Sequence, residues 1–119
     1  MCFETTKQSR PRKAKEDIFC WKILNPDYTP LYQSYYNHNP PYKSGVLNPI
    51  IELIKYSDDC DSNLTSYIIE EGYHSYHTED IAINNRRFNE FIIAEFVIPK
   101  DTLYYKNKEE YVSETIIMK

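Results

Sequence analysis

"FIIAEFVIP", residues 91 to 99, decides the fold. Seven strand-forming or small residues, interrupted only by Glu95, run up to Pro99, which cannot continue a ladder. Strand alternation puts Phe91, Ile93, Glu95 and Val97 on one face and Ile92, Ala94, Phe96 and Ile98 on the other. The second face is wholly apolar and is expected to meet the core. The first is apolar apart from Glu95, so partial cover is expected, by a short helix or by the N-terminal arm. A strand of this kind belongs in the middle of a sheet.

Working outward, "TLYY" (102–105) and "YVSETIIM" (111–118) read as two more strands around the charged turn "KNKEE". On the other side, "TEDIAINNRRF" (78–88) reads as a short helix. Thr78 is its cap, Glu79 and Asp80 suit its positive end, and Arg86 and Arg87 its negative end. "TSYIIEEGYHSY" (65–76) reads as one strand, and "DIFCWKIL" (17–24) as another, stopped by Asn25-Pro26-Asp27. "YTPLYQSYY" (28–36) is strand-like but interrupted by Pro30, so an edge or irregular strand is expected. "NHNPPYKSG" (37–45) and "DDCDSN" (58–63) are loops. "NPIIELIKYS" (48–57) fits a short helix opened by Asn48 and Pro49, and equally a short buried strand. The sum is an α+β class: a β-rich, mostly antiparallel sheet of at least five strands with one or two short helices.

A chain of 119 residues points to one domain with a single core. The division expected is a basic arm over 1–16 and a β-rich body over 17–119. Twelve tyrosines favour strands and half-buried surfaces, while only two glycines leave the turns to Pro, Asn and Asp. The net charge of -4 is unevenly spread: residues 1–15 carry +4 and the remainder -8. Lys7, Arg10, Arg12, Lys13 and Lys15 form the basic arm, a surface for an acidic partner or nucleic acid. No aromatic residue interleaves them, which disfavours nucleic acid and leaves a solvated, mobile terminus as the ordinary reading. Cys2, Cys20 and Cys60 are odd in number and lack motif spacing, so no disulfide framework is expected. No apolar run reaches membrane-spanning length and the N-terminus is polar, so the location expected is cytoplasmic.

Chemistry concentrates in "EEGYHSYHTED" (70–80). His74 and His77 would approach one metal on a helix but point to opposite faces on a strand. The spacing Asp59, Asp61, Asn63, Thr65, Tyr67, Glu70 matches a calcium loop, yet Leu64 stands where that loop needs glycine. No metal and no cofactor are expected. Cys2 would be a nucleophile only if Met1 were removed, and Cys20 reads as a small buried hydrophobe. No Ser/His/Asp order, phosphate-binding glycine loop or carboxylate pair is present. The box therefore reads as a strand end followed by a capped helix. Glu71, Tyr73, His74 and Tyr76 are its candidate ligand or partner surface.

Several motifs together carry a resemblance. They are the Met-Cys start with its basic arm, "AKEDIFCWKIL", "EEGYHSY", "EFVIPKDTLYY" and "YVSETIIM". The chain resembles a group of short proteins of gut bacteria and their phages to which no activity is attached. Asp101 stands where that pattern has glycine. The resemblance implies phage origin or association, as a virion component or an accessory protein. The expectation is an accessory protein that binds a host protein, a nucleotide-like small molecule or itself. A fainter similarity, to ADP-ribosyltransferase-like folds, would cast Ser75, Tyr76 and Glu114 in catalytic roles. The first strand offers Cys20, Trp21 and Lys22, where that fold has Arg or His.

Overall fold

A computed structural model describes residues 3–6, 9–31, 40–57, 66–69 and 71–119. In chain order its elements are β1 (Phe3–Thr6), β2 (Arg12–Lys13), β3 (Ile18–Leu24), β4 (Tyr56–Ser57), β5 (Ser66–Ile69), β6 (Tyr73–Tyr76), α1 (Glu79–Asn85), β7 (Ile92–Ile98), β8 (Leu103–Lys106), β9 (Glu110–Ser113) and β10 (Ile117–Met118). Seven strands form one antiparallel sheet in the order β10-β7-β3-β6-β9-β8-β2, and three form a second in the order β1-β5-β4. With one short helix among the described residues, the fold is β-rich α+β.

The two faces of "FIIAEFVIP" behave as its alternation predicts. Phe96 and Ile98 are fully buried, and Ile92 and Ala94 pack beside them against Cys20, Leu24, Ile116 and Met118. On the other face Phe91 and Ile93 join Trp21, Ile23 and Tyr76 beneath Ala82 of α1. The helix begins at the Thr78 cap, whose hydroxyl accepts the Ile81 N–H at 3.2 Å. It thus supplies the partial cover.

Several other expectations are corrected. The described N-terminal residues Phe3–Thr6 and Arg12–Ala14 are joined to the sheets rather than loose. Phe3 is fully buried, paired with Ile69, and packed on Tyr105 and Val112. Further on, Arg12–Lys13 pairs with Leu103–Tyr104, and Ala14 exchanges backbone hydrogen bonds with Thr102 and Asp101. One early apolar residue outweighs the polarity around it, because it fills the gap between the sheets. The run 65–76 is not one strand: β5 joins the small sheet and β6 the large one, with Gly72 at φ 121 turning the chain between them. Likewise 111–118 splits into β9 and β10, which sit on opposite sides of β7, β3 and β6 in strand order. Residues 48–55 are neither helix nor strand. They cross the strand ends, held by Ile51 N–H on Glu114 O and by Tyr73 OH on Pro49 O. Most of the calcium-loop spacing and half of "YTPLYQSYY" lie outside the described residues.

Candidate functional site

The alternation of β6 divides the residues that the sequence nominated. Tyr73 and Ser75 point to the same face as Cys20, while His74 and Tyr76 point to the face that carries the helix and the small sheet. His74 lies against Phe3, with ring centroids 6.5 Å apart. Tyr76 is buried beneath α1, and Glu71 is exposed ahead of the strand. The four do not form one surface. Arg10, Arg12, Lys13 and Lys15 are exposed, with Arg12 and Lys13 on the edge of the large sheet furthest from β10; Lys7 lies outside the described residues. His77 falls on the opposite face from His74 and stacks on Tyr111 at 4.3 Å. Burial lowers its pKa. Among the described residues no three His, Cys, Asp or Glu side chains gather as a metal site.

Reactive groups on the Cys20 face are sealed. The Cys20 thiol is fully buried, and desolvation pushes its pKa up to about 11 against the smaller opposing pull of Ser75 and Lys22. A thiol held in that form is a poor nucleophile. Ser75 is also buried; its Oγ lies near enough to the Cys20 thiol to favour the thiolate slightly, without forming a well-aligned hydrogen bond. Ser75 and Tyr76 sit on opposite faces, and the Glu114 carboxylate accepts the Leu103 N–H at 2.9 Å. The three ADP-ribosyltransferase-like roles therefore have no shared face. Lys22 is the unusual group. Its Nζ donates to His74 O and lies 5.8 Å from the Tyr42 ring and 6.0 Å from the Phe96 ring. Burial lowers its pKa to about 8, with Cys20 pulling weakly the other way. No carboxylate among the described residues pairs with it.

Beside Lys22 the molecule opens. A cleft of about 720 Å³ runs along Ile92–Glu95 of β7, between the end of β10 and two tyrosines, Tyr28 and Tyr42. Tyr28 holds a left-handed backbone, φ 69, which is unusual for a bulky side chain. A tight local network imposes it. Tyr28 N–H donates to Asn25 O and Asn25 N–H to Thr29 O, while the Asp27 carboxylate accepts both the N–H and the hydroxyl of Thr29. Those bonds, the hydroxyl's first, also lower the Asp27 pKa. Tyr42 is tied to the same turn by its N–H on Tyr28 O at 3.0 Å. Lys43 and Ser44 follow on the rim. Lys119 closes the far end: its N–H donates to Glu95 O at 3.0 Å and its Nζ meets the Glu95 carboxylate at 3.2 Å.

Sequence reading missed this cleft because Tyr42 and Lys43 sit in a Pro-rich loop with no periodicity. The available signal was the pair of tyrosines, Tyr28 and Tyr42, each beside a proline-directed turn.

Among the described residues no helix is long and apolar enough to cross a membrane. The chain matches no family model, no curated protein and no solved structure.

Proposed function

We propose that this chain works by binding rather than by catalysis, and that the cleft along β7 is its binding site. One observation carries the reading. Among the described residues, the Cys20 thiol and the Ser75 hydroxyl are sealed inside the sheet, whereas an open concavity along β7 is walled by tyrosines, lysines and strand backbone. Such walls supply amphipathic contact area and main-chain hydrogen bonds, which suit recognition. The Met-Cys start, the "EEGYHSY" box and the Asn-, Ile-, Tyr- and Lys-rich composition support a phage-derived or phage-associated accessory protein acting in the host-cell cytoplasm.

A photo-crosslinking side chain at Lys43, on the rim, tests the reading in cells carrying the protein. A discrete adduct is expected there, and none from the same group at Lys100 at the far end of β7. Equal, diffuse labelling at both positions overturns it. Transfer from a labelled nicotinamide dinucleotide by the purified protein would replace it with the enzyme reading, and recovery in purified particles with the virion reading.

A further inference from the structure

We propose that the half of the large sheet furthest from the cleft binds single-stranded nucleic acid, on a diagonal of three rings flanked by two cations. This surface is separate from the cleft and independent of it. Register places its members. Tyr111 pairs with Ser75 of β6 and with Lys106 of β8, while Tyr104 pairs with Ser113 of β9 and with Arg12 of β2. Tyr111, Tyr104, Lys106 and Arg12 therefore share one face of the sheet, the face that carries Cys20. His77 joins them from the end of β6. Its ring centroid lies 4.3 Å from that of Tyr111, and Tyr111 lies 5.8 Å from Tyr104. The ring planes are inclined by 42° and 78°, so none is stacked flush on its neighbour. Over β7 and β3 the same face is roofed by two crossing segments, joined by Gly45 N–H on Met118 O, Asn48 N–H on Ile116 O and Ile51 N–H on Glu114 O. Among the described residues that roof does not continue over β9 and β8. There the three rings are half-buried, and Lys106 and Arg12 are exposed.

Charge and ring chemistry choose the occupant. Residues 9–15 and 103–106, which form and flank the β8–β2 edge, hold five cations and no carboxylate, on a chain whose net charge is -4. Arg12 and Lys106 form no ion pair among the described residues. Glu109 lies near His77, and Glu114, which accepts the Leu103 N–H, lies at the other end. These two carboxylates bound the patch, so its footprint is short, about one nucleotide per ring. A single strand offers what this surface takes: phosphates for the exposed cations and unstacked bases for the rings. An acidic peptide would meet the cations and leave the rings unused. A duplex would keep its base faces stacked and out of reach. In sequence no aromatic residue interleaves the basic N-terminal residues. In the fold, pairing of β2 with β8 and of β8 with β9 brings the rings to them.

The test titrates the full chain at low salt with a labelled oligothymidylate about ten nucleotides long, followed by anisotropy and amide-resolved NMR. Shifts are expected at the Tyr104, Lys106 and Tyr111 amides. Tyr104→Leu removes one ring and is expected to weaken binding about tenfold. Arg12→Gln, at an exposed position, should weaken it severalfold and reduce the slope of log affinity against log salt by about 0.7. Arg87→Gln, an equal loss of charge at an exposed position beyond α1, should leave the affinity unchanged. Should Tyr104→Leu lower the thermal midpoint, Arg12→Gln and the amide shifts decide alone. Duplex of the same sequence and polyglutamate serve as competitors, and each should compete about tenfold less well than the single strand. No binding at millimolar nucleotide, shifts confined to Ile92–Glu95, an affinity that a folded Tyr104→Leu or Arg12→Gln leaves unchanged, or equal losses for Arg12→Gln and Arg87→Gln each overturn the proposal. Equal competition by polyglutamate overturns it in favour of an acidic peptide, and equal competition by duplex in favour of a contact made through charge alone. Any of these failures leaves the cleft reading standing, since the Lys43 adduct tests a different surface.

Discussion

The two halves of the large sheet are built differently. β3 and β7 pair along seven consecutive residues, while β6 and β9 pair along four, β8 and β9 along three, and β2 and β8 along two. The first half carries its own apolar alternation and is covered by a helix next to it in sequence. The second half consists of short strands that do not suffice alone. It is finished by the small sheet, whose β1 comes from the start of the chain. One half is therefore held by continuous side-chain burial, the other by pieces gathered from far apart. The lesson is that one buried residue in a polar stretch can matter as much as a whole apolar strand.

Phe96 and Phe3 put that equality to the test, since both are fully buried. Truncating either to Ala is expected to cost about 3 to 5 kcal/mol. That is a large share of the stability of a domain this size. Denaturant melting of the two variants checks it. A small loss for Phe3→Ala, with fast amide exchange over 3–6, would mean that the N-terminal strand is dispensable and the second half stands without it. Glu95→Ala, next to Phe96, removes only an exposed ion pair and should cost below about 1 kcal/mol. A Glu95 loss comparable with Phe96 would overturn the assignment of faces.

Gly72 joins the halves through the step from β5 to β6. A Cβ there would lie 2.6 Å from Leu53 Cδ2 and 2.8 Å from Val112 Cγ2, on a backbone at φ 121. Crowding and strain together should make Gly72→Ala cost about 2 to 4 kcal/mol. Restoring room with Gly72→Ala plus Leu53→Ala separates the two causes. Measured against Leu53→Ala alone, recovery of a good part of the loss would assign it to the Leu53 contact; no recovery would assign it to the backbone and the remaining Val112 contact.

These cases also mark how far the sequence could be read. The alternation of 91–98, the stop at Pro99 and the Thr78 cap are local, and each appears where residue types place it. The split at Gly72 depends on which sheet each neighbour joins, and the break at Glu114–Ile116 depends on the crossing segment 48–55. Neither partner lies within ten residues. Phe3 was hidden because its burial comes from Ile69, Tyr105 and Val112. The cleft was hidden for the same reason: Tyr28 and Tyr42 converge only through a backbone bond between two turns.

Lys22 sharpens the comparison from the first half, because its burial works against folding at neutral pH. Its folded pKa is about 8, below the ordinary 10.5. Below pH 8 both states hold the proton and the full penalty applies. Between 8 and 10.5 the unfolded chain holds a proton that the folded chain lacks, so stability rises with pH. Cys20, raised from 9.0 to about 11, acts in the opposite direction above pH 9. The stability difference between the wild type and Lys22→Met isolates the lysine. Lys22→Met should lose any advantage steadily from pH 7.5 to 10. A difference independent of pH would show that the Lys22 ammonium is well solvated.

The smallest expected effects concern the turn that ties the second half to the N-terminus. Asp101 has φ 73, Gly45 has φ 77, and the two differ in what occupies the position. Gly45 has no neighbour within 4 Å of an added Cβ, so Gly45→Ala would reveal the backbone term alone, about 1 kcal/mol. Asp101 already carries a side chain in that region, and its N–H donates to Ala14 O at 2.8 Å, fixing the turn against the N-terminal segment. Replacing it with glycine relieves the left-handed strain but frees the unfolded chain, and the two terms partly cancel. Asp101→Gly should therefore stabilise by no more than about 0.5 kcal/mol, since Asp tolerates this region better than most residues. Melting of the two variants side by side decides the matter. A clear loss for Asp101→Gly would mean that the aspartate side chain itself holds the turn, and that the second half depends on it as well as on Phe3.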